Sequence, residues 1–449
     1  MLTRSCAGCI IRRGGRRRGL SKLGRLARAR TLIAMSVLAG VVSFTQAATA
    51  KATASDQTSA TGSSIDWPQY LNGPQHSSVS ATIAFTVSNA ASATQAWHWP
   101  PAGQTVPTLN ASPTVVGGKV YIGDQNSHFW ALDESTGHKV WEDALDPPEP
   151  ATTCHFQRGI SSTAAVLPDP VTGTSTVYVS GPRYLWALNA ATGAEVWKTR
   201  IGPKAPLDTY YNWSSPTVAG GHIYVGLASD CDNPLIRGGV VELDQHSGHV
   251  LHTWYSVPQG SIGASVWSSV AATSNGSDTW VSTGNECDPT MNSCPSGNQI
   301  GNSLSIVHLS GSLCANQQTT CTGVLQAWQV PGVTGHDSDF GSSPTLFGSA
   351  SPPPEVGACN KNGNYYALTA NPLGTAPLWA STIGDTAGVH NSCLASAVWD
   401  VQTGQMYIGG NTTTIGGTTY GGSVRQVDPS TGHFIWQTGL PCPVMGTPC

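Results

Sequence analysis

The chain is poor in charged residues and lacks several short motifs that mark common enzyme classes. Only 10% of its 449 residues are charged, whereas an average domain has about 25%. It contains no G-x-S-x-G elbow, H-E-x-x-H zinc motif, P-loop or EF-hand loop, so it carries none of the signatures of the corresponding hydrolases, zinc proteases, nucleotidases or calcium sensors. Its 51 glycines and 15 tryptophans favour short strands joined by tight turns over a helical bundle.

The first 50 residues lack acidic side chains and also lack an apolar run long enough to span a bilayer. Ten Lys or Arg residues lie between Arg4 and Arg30, and the apolar run at 31–44 has 14 residues, whereas a membrane span needs about 20. The region ends in a small-x-small pattern, Ala48-Thr49-Ala50. We predict that residues 1–50 are a secretory signal peptide and that residues 51–65 are a disordered polar linker. The protein is then secreted, either extracellular or associated with the cell wall, with no membrane span in the mature chain.

The remainder of the chain is acidic and rich in cysteine. Residues 51–449 carry 11 basic and 25 acidic side chains, a net charge of −14, which makes nucleic acid an unsuitable partner. Their ten cysteines favour disulfides formed in an oxidising compartment, because zinc sites usually show paired C-x-x-C spacing. The pairs close enough in sequence to close single loops are Cys287/Cys294, Cys314/Cys321 and Cys442/Cys449, and Cys154/Cys231 with Cys359/Cys393 is one of the pairings open to the remaining four cysteines.

One pattern recurs through residues 66–449. The segment Ala131-Leu-Asp-Glu-Ser-Thr-Gly-His-Lys-Val-Trp141 is repeated at 187–197, and weaker copies occur at 242–254 and 426–436. The Asp can cap the tight turn and the Gly can supply a positive φ, while the Trp is large enough to wedge between sheets. Units of about 40–50 residues with four strands predict an all-β β-propeller. Six units are visible; the alternative, a β-sandwich, needs no repeated Trp.

These repeats, with the opening segment Trp67-Pro-Gln-Tyr70 and Ala96-Trp97, resemble the pyrroloquinoline quinone (PQQ) alcohol dehydrogenases, including the polyvinyl-alcohol dehydrogenases. The resemblance runs from about Asp66 to the end of the chain. It implies a propeller of seven or eight PQQ-like blades, incomplete here at the C terminus.

The resemblance also implies a catalytic site. Trp267, followed eighteen residues later by Asn285 in Ser-Thr-Gly-Asn, is similar to the family's Trp beneath the PQQ ring and its calcium-binding Asn. His336-Asp-Ser-Asp339 resembles the segment whose last Asp is the catalytic base and a metal neighbour; Asp339 is one residue short of the family spacing, and Asp337 is the alternative. Lys361, in Asn-Lys-Asn-Gly, resembles the cation that polarises the quinone carbonyl.

Further cofactor contacts are implied with departures from the family pattern. Arg158 resembles an arginine that pairs with a PQQ carboxylate, and Asn391 resembles an Asn that touches the cofactor. Cys154 stands alone where the family often has two adjacent cysteines. Asp232 replaces a calcium-binding Glu, and Asn110 stands where the family has a Glu near the cofactor carboxylates.

Two functions follow from these observations. The first is a secreted oxidoreductase that oxidises a small-molecule or polymeric alcohol by hydride transfer to PQQ, with calcium. Its electrons then pass to a separate acceptor, because the chain has no C-x-x-C-H haem segment. The second is a non-catalytic propeller that serves as a binding or scaffold protein, similar to the outer-membrane assembly lipoproteins.

Overall fold

The computed structural model describes residues 66–80, 86, 88–101, 103–146, 159–204, 209–230, 232, 234–289, 293–313, 324–332, 337–384 and 393–441. The chain divides into two compact units, one comprising residues 1–63 and 82–95 and the other residues 64–81 and 96–449. In the smaller unit the described residues include a 3-10 helix at Ala90–Ser92. In the larger unit a 3-10 helix spans Tyr70–Asn72, and the remaining elements are β-strands. None of the helices in the described ranges has the length and apolar character to cross a membrane.

The described residues of the larger unit form six antiparallel sheets, five with four strands and one with a fifth strand added, here called blades 1 to 6 in chain order. Blade 1 consists of Thr114–Val116 (β1), Lys119–Gly123 (β2), His128–Asp133 (β3) and Lys139–Ala144 (β4). Blade 2 consists of Ala165–Pro168 (β5), Ser175–Ser180 (β6), Tyr184–Asn189 (β7) and Glu195–Arg200 (β8). Blade 3 consists of Thr217–Ala219 (β10), His222–Ser229 (β11), Gly239–Asp244 (β12) and Val250–Tyr255 (β13), with Tyr210–Tyr211 (β9) paired to β11.

The last three blades follow the same order. Blade 4 consists of Ala271–Ala272 (β14), Asp278–Ser282 (β15), Ser305–Ser310 (β16) and Val324–Gln329 (β17). Blade 5 consists of Thr345–Phe347 (β18), Glu355–Cys359 (β19), Asn364–Thr369 (β20) and Trp379–Thr382 (β21). Blade 6 consists of Val398–Asp400 (β22), Gln405–Gly410 (β23), Gly422–Val427 (β26) and Phe434–Leu440 (β27), with the hairpin Thr413–Ile415 (β24) and Thr418–Tyr420 (β25) inserted between its second and third strands.

The repeated Asp-x-x-Thr-Gly segment forms the turn between the third and fourth strands of a blade. In blade 1, Asp133 Oδ1 accepts hydrogen bonds from the backbone N–H groups of Ser135 (3.1 Å) and Thr136 (2.9 Å), and Gly137 has φ +70°. Asn189, Asp244 and Asp428 accept equivalent bonds in blades 2, 3 and 6. The side chain replaces water as the partner of these backbone donors, so the turn geometry follows from the local sequence.

The closing Trp of one blade packs against the turn glycine of the next. A Cβ added to Gly193 in blade 2 would lie 2.8 Å from a ring carbon of Trp141 in blade 1, and Trp141 Nε1 donates to Ala190 O at 3.1 Å. The same arrangement occurs for Trp97 on Gly137, Trp197 on Gly248 and Trp379 on Gly432. The wedge predicted for the repeated Trp is therefore a contact between successive blades.

The opening segment, residues 67–77, contacts the innermost strand of every described blade. It hydrogen-bonds the backbone of Val115, Val166, Val218, Ala272, Leu346 and Trp399 in chain order. Gln69 makes the link to blade 3 through its side chain, with Nε2 donating to Val218 O at 3.2 Å and Oε1 accepting from Val218 N at 2.9 Å. The segment lies across the first strands of the blades, where it hydrogen-bonds their backbone groups.

Two of the predicted disulfides are present, Cys287–Cys294 and Cys359–Cys393. Cys359 ends β19 and Cys393 precedes β22, so the second bond joins blades 5 and 6. The other three predicted pairs include residues outside the described ranges.

Candidate active site

Four of the predicted site residues lie at the ends of strands in blades 4 and 5. Trp267 precedes β14, Asn285 follows β15, Asp339 precedes β18 and Lys361 follows β19. A fifth, Asp232, follows β11 of blade 3. Strand ends can carry such side chains because the sheets hold the flanking backbone in place while the connecting loops supply the chemistry.

Trp267, Asp339 and Lys361 contact one another. Trp267 Nε1 donates to Asp339 Oδ2 at 2.7 Å, and Lys361 Nζ lies 2.7 Å from Asp339 Oδ1. Lys361 Nζ also contacts Asp337 Oδ1 and lies 5.2 Å from the centroid of the Trp267 ring. The ammonium group is therefore shared by two carboxylates beside an indole.

Backbone and amide contacts hold the 337–340 segment in place. Asn285 Oδ1 accepts a hydrogen bond from Ser338 N at 2.9 Å, and Asn360 Nδ2 donates to Ser338 O at 2.8 Å. Lys361 N donates to Asp339 O at 2.9 Å. Both neighbouring turns thus position the acidic segment, and Asn285 belongs to the same network as Asp339.

Burial and mutual repulsion shift the ionisation of these groups. Burial raises the pKa of Asp339, and the positive charge of Lys361 offsets only part of that effect. Burial by itself would lower the pKa of Lys361, but the negative charges of Asp339 and Asp337 outweigh burial and raise this pKa. Burial, followed by repulsion from Asp339, raises the pKa of Asp232 to about 6. The site therefore combines a stable ammonium with carboxylates that bind protons more readily than usual.

The predicted calcium donors, Asp232, Asn285 and Asp339, interact with one another. Ser265 Oγ donates to Asp232 at 3.3 Å, and Asn285 also hydrogen-bonds Asp232. Within the described ranges no group of three His, Cys, Asp or Glu side chains is arranged to hold a metal ion, so this donor set consists of two carboxylates and an amide. Asp337 Oδ2 is buried and has no hydrogen-bond partner among the described residues. Asp337 and Asp339 contact Lys361, and Asp232 lies close enough for the charge of Asp339 to raise its pKa; carboxylate and amide oxygens are the donor type that a hard cation prefers.

A cavity of about 270 Å³ lies beside Trp267. Its walls come from the opening segment and from the residues that precede the first strands of blades 1 to 5: Tyr70, Asn110, Ser112, Ser161, Thr163, Trp213, Ser215, Trp267, Ser268, Ser269, Gly341 and Ser343. Asn110, predicted to lie near the cofactor, shares this cavity with Trp267. The lining combines hydroxyl and amide groups with two indoles, so it suits a planar ligand with a polar edge.

A series of hydrogen bonds links the blades around the cavity. The backbone N–H of Ser112 donates to Thr163 Oγ1 (3.1 Å), that of Thr163 to Ser215 Oγ (2.9 Å), that of Ser215 to Ser269 Oγ (3.0 Å) and that of Ser269 to Ser343 Oγ (2.8 Å). These Ser and Thr residues occupy the start of each unit. They fix neighbouring blades in register and leave the cavity wall pre-formed.

Comparison with known proteins identifies the family of the propeller. The family model named PQQ and described as glucose/ethanol/alcohol dehydrogenase, β-propeller domain, matches residues 67–292, just over half of the chain. The chain belongs to this PQQ dehydrogenase propeller family.

Two curated relatives of the propeller are similar over a third of this chain. The quinohemoprotein alcohol dehydrogenase of Comamonas testosteroni is 30% identical over 154 residues, 33% of this chain and 20% of that protein. The polyvinylalcohol dehydrogenase of Sphingopyxis sp. (strain 113P3) is 27% identical over 162 residues, 33% of this chain and 23% of that protein. The matched region thus spans about a fifth of the length of these relatives.

Solved structures of PQQ-family propellers share the fold. The crystal structure of the Comamonas testosteroni enzyme covers 84% of this chain and 68% of its own, with a TM-score of 0.61 and 17% identity. A europium-containing methanol dehydrogenase covers 85% and 79%, with a TM-score of 0.65 and 15% identity. The predicted β-propeller fold is confirmed.

Three predicted cofactor contacts of the PQQ propeller, Arg158, Cys154 and Asn391, lie outside the described residues. Gly159, which follows Arg158, is described: its N–H donates to Gln125 Oε1 at 3.2 Å, and its carbonyl accepts from the Tyr211 hydroxyl at 2.8 Å. A Cβ at Gly159 would lie 2.4 Å from the backbone of Gln125. Glycine at this position therefore permits close packing next to the predicted arginine.

Trp213 is a cavity residue of the PQQ propeller that the sequence analysis missed. A signal was present, because Asn212-Trp213-Ser214-Ser215 in blade 3 matches Val266-Trp267-Ser268-Ser269 in blade 4. In a chain with 15 tryptophans, most of the conspicuous ones belong to the structural repeat, and Trp213 lies outside that pattern.

Proposed function

We propose that this protein is a secreted oxidoreductase that oxidises an alcohol by hydride transfer to PQQ, with calcium. The observation that carries the proposal is the contact of Trp267, Asp339 and Lys361 beside a hydroxyl-lined cavity. An indole, a buried carboxylate and an ammonium meet there in a chain that belongs to the PQQ dehydrogenase propeller family.

The cavity residues would hold the cofactor. Bound PQQ supplies the electron-accepting quinone. Trp267 offers a flat apolar surface for a planar ring system, and its ring is held in place by the hydrogen bond to Asp339. Asn110 and the hydroxyls of the lining can bind polar ring substituents. Arg158 would pair with a carboxylate of the cofactor.

Asn285, Asp232 and Asp339 would hold calcium. All three provide oxygen donors, which calcium prefers over nitrogen or sulfur. The cation would offset the repulsion between the two carboxylates, which contributes to the raised pKa of Asp232. Asp232 is one carbon shorter than the Glu of the family, and Ser265 holds its carboxylate in position.

Asp339 would act as the general base. It accepts the hydroxyl proton of the alcohol while the hydride leaves the carbinol carbon. Burial raises the pKa of Asp339, which strengthens it as a proton acceptor. Lys361 keeps its proton because the pKa of the amine is raised, so it presents a stable positive charge where negative charge develops.

The wider context is also part of the proposal. The basic leader, residues 1–50, would direct secretion. The substrate would be a small-molecule or polymeric alcohol, and the electrons would pass to a separate acceptor.

Dye reduction by the purified protein tests the proposal. With PQQ and calcium added, we expect alcohol-dependent reduction of an artificial electron acceptor. Asp339→Asn should lower this activity by about a hundredfold or more, because general-base catalysis contributes about 10²–10⁴. Asp143→Asn, on the outer strand β4, is the control and should keep full activity. No reduction by the wild type, or full activity in Asp339→Asn, would refute the proposed chemistry.

The second candidate is a propeller that binds a partner without catalysis. Asp232, which is one carbon shorter than the family's Glu, favours this second function, because its carboxylate would extend less far towards a bound cation. In that case PQQ and calcium should leave the melting temperature unchanged, since a ligand stabilises a protein only when it binds the folded state.

A further inference from the structure

We propose that Trp213 is a second aromatic surface of the cofactor cavity, on which the planar ring system of PQQ packs in addition to Trp267. This inference rests on the proposed function and names a binding residue outside the site predicted from the sequence. Trp213 and Trp267 are the two indoles that line the cavity.

The two tryptophans occupy equivalent positions in neighbouring blades. Trp213 lies two residues before Ser215 and Trp267 lies two residues before Ser269, and Ser215 N donates to Ser269 Oγ at 3.0 Å. The next strands are also joined, since Thr217 Oγ1 donates to Val270 O at 2.6 Å. The hydrogen bonds between the blades therefore hold both indoles at matching positions of one cavity wall.

The indole of Trp213 is fixed in orientation. Its Nε1 donates to Ser229 O at 3.0 Å, and its ring meets the Tyr211 ring edge-on at 4.8 Å with an interplanar angle of 75°. Tyr211 is itself held by its hydroxyl, which is hydrogen-bonded to Gly159 O at 2.8 Å and to Ser161 Oγ at 2.9 Å. An aromatic side chain held in this way loses little entropy when a ligand packs against it.

The indole N–H of Trp213 already has a hydrogen-bond partner, which limits the contacts that this side chain can make with a ligand. Because Nε1 is bonded within blade 3, the side chain presents ring surface to a ligand and no hydrogen-bond donor. The same holds for Trp267, whose Nε1 is bonded to Asp339. Most of the remaining lining consists of hydroxyl-bearing side chains, including Tyr70, so these two indoles are the largest ring surfaces of the cavity. A ligand that uses both has a planar aromatic centre and a polar edge, which describes a quinone cofactor with carboxylates.

Calorimetric titration of PQQ into the purified protein with calcium tests this inference. We expect Trp213→Leu to weaken binding by about tenfold or more, as for the loss of one aromatic stacking surface. Trp213→Phe, which retains a ring, should bind within about threefold of the wild type. Trp436→Leu on the outer strand β27 is a matched control, because Trp436 is also half-buried but lies outside the cavity lining, and it should bind normally.

A chemical footprint of the unmodified protein provides a second measurement that does not depend on the variants folding. N-bromosuccinimide oxidises accessible indoles, and PQQ should protect Trp213 and Trp267 while leaving Trp436 reactive. Wild-type affinity, or tighter binding, in Trp213→Leu would overturn the inference and leave the proposed function intact. Protection of Trp267 without protection of Trp213 would also overturn the inference and leave the proposed function intact. If the wild type binds no PQQ, both the proposed function and this inference fail.

Discussion

Trp141 lies against Gly193, so that the indole of one blade occupies the space where the next blade's turn has no side chain. The contact is reinforced by the bond from Trp141 Nε1 to Ala190 O. The same contact joins Trp197 to Gly248 and Trp379 to Gly432, so in these repeats the turn Gly of one unit leaves space for the Trp of the preceding unit.

Gly193→Ala should destabilise the fold more than Gly173→Ala in the same blade. Both glycines have positive φ, +79° and +70° respectively, so both substitutions incur a similar backbone cost. Only at Gly193 would the new methyl group overlap an indole, because Gly173 has no atom within 4 Å of the added Cβ. We expect an additional loss of about 1–3 kcal/mol in unfolding free energy, measured by urea denaturation. Equal losses would show that the Trp–Gly contact contributes nothing.

Gln69→Ala should lower the free energy of unfolding by about 2 kcal/mol. Gln69 is buried and its side chain makes two hydrogen bonds to the backbone of Val218, and removal leaves two buried backbone groups without these partners. Gln402→Ala, at an exposed turn of blade 6, is the control and should change stability by less than about 0.5 kcal/mol. A Gln69 variant as stable as the wild type would show that water replaces the side chain.

His76 should make the protein less stable below neutral pH. Burial lowers its pKa to about 4, whereas an unfolded His has a pKa near 6.5. As the pH falls below about 6.5 the unfolded state gains the proton first, so stability is full above that pH and decreases towards pH 4, by up to about 3 kcal/mol.

His76→Asn should remove most of this pH dependence, and Asn also tolerates the positive φ of 60° at this position. Urea denaturation at pH 7.5 and pH 4.5 measures how the free energy of unfolding changes with pH. If the free energy of unfolding of His76→Asn changes with pH as much as that of the wild type, other groups dominate acid unfolding.

Lys361→Met should reduce both stability and activity. The substitution leaves Asp337 and Asp339 without their shared cation, and breaking a buried ion pair costs about 3–5 kcal/mol. Lys139→Met removes the exposed pair of Lys139 with Glu142 in blade 1, which is worth about 0–1 kcal/mol, so it serves as the control. Added calcium should restore part of the stability of Lys361→Met if a cation binds among these carboxylates. Similar melting temperatures for the two variants would contradict the central role of Lys361.

The fold was predictable because its determinants are local. Asp133 bonds to backbone groups only two and three residues away, and Gly137 adopts its positive φ within the same turn. A motif of this kind is visible in any single repeat. Short spacing predicted the Cys287–Cys294 bond, whereas Cys359–Cys393 was one of several possible pairings among the four more distant cysteines.

The contacts of the site were less accessible to sequence reasoning. Trp267 and Asp339 are 72 residues apart and meet through the packing of blades 4 and 5. The sequence suggested that both belong to one site only through family resemblance, and it contained no indication that Lys361 would contact Asp337 as well as Asp339. Trp213 was overlooked because the Trp-Ser-Ser segment that it shares with Trp267 is only three residues long.

The sequence by itself determined the repeat, its turns and the residue types available for chemistry, because those depend on neighbours a few positions away. Tertiary structure alone decided that residues 67–77 contact six inner strands in succession and that Trp213 and Trp267 line the same cavity. These relationships arise from hydrogen bonds and packing between residues from about 50 to more than 300 positions apart, and no local pattern encodes which distant partners a chain brings together.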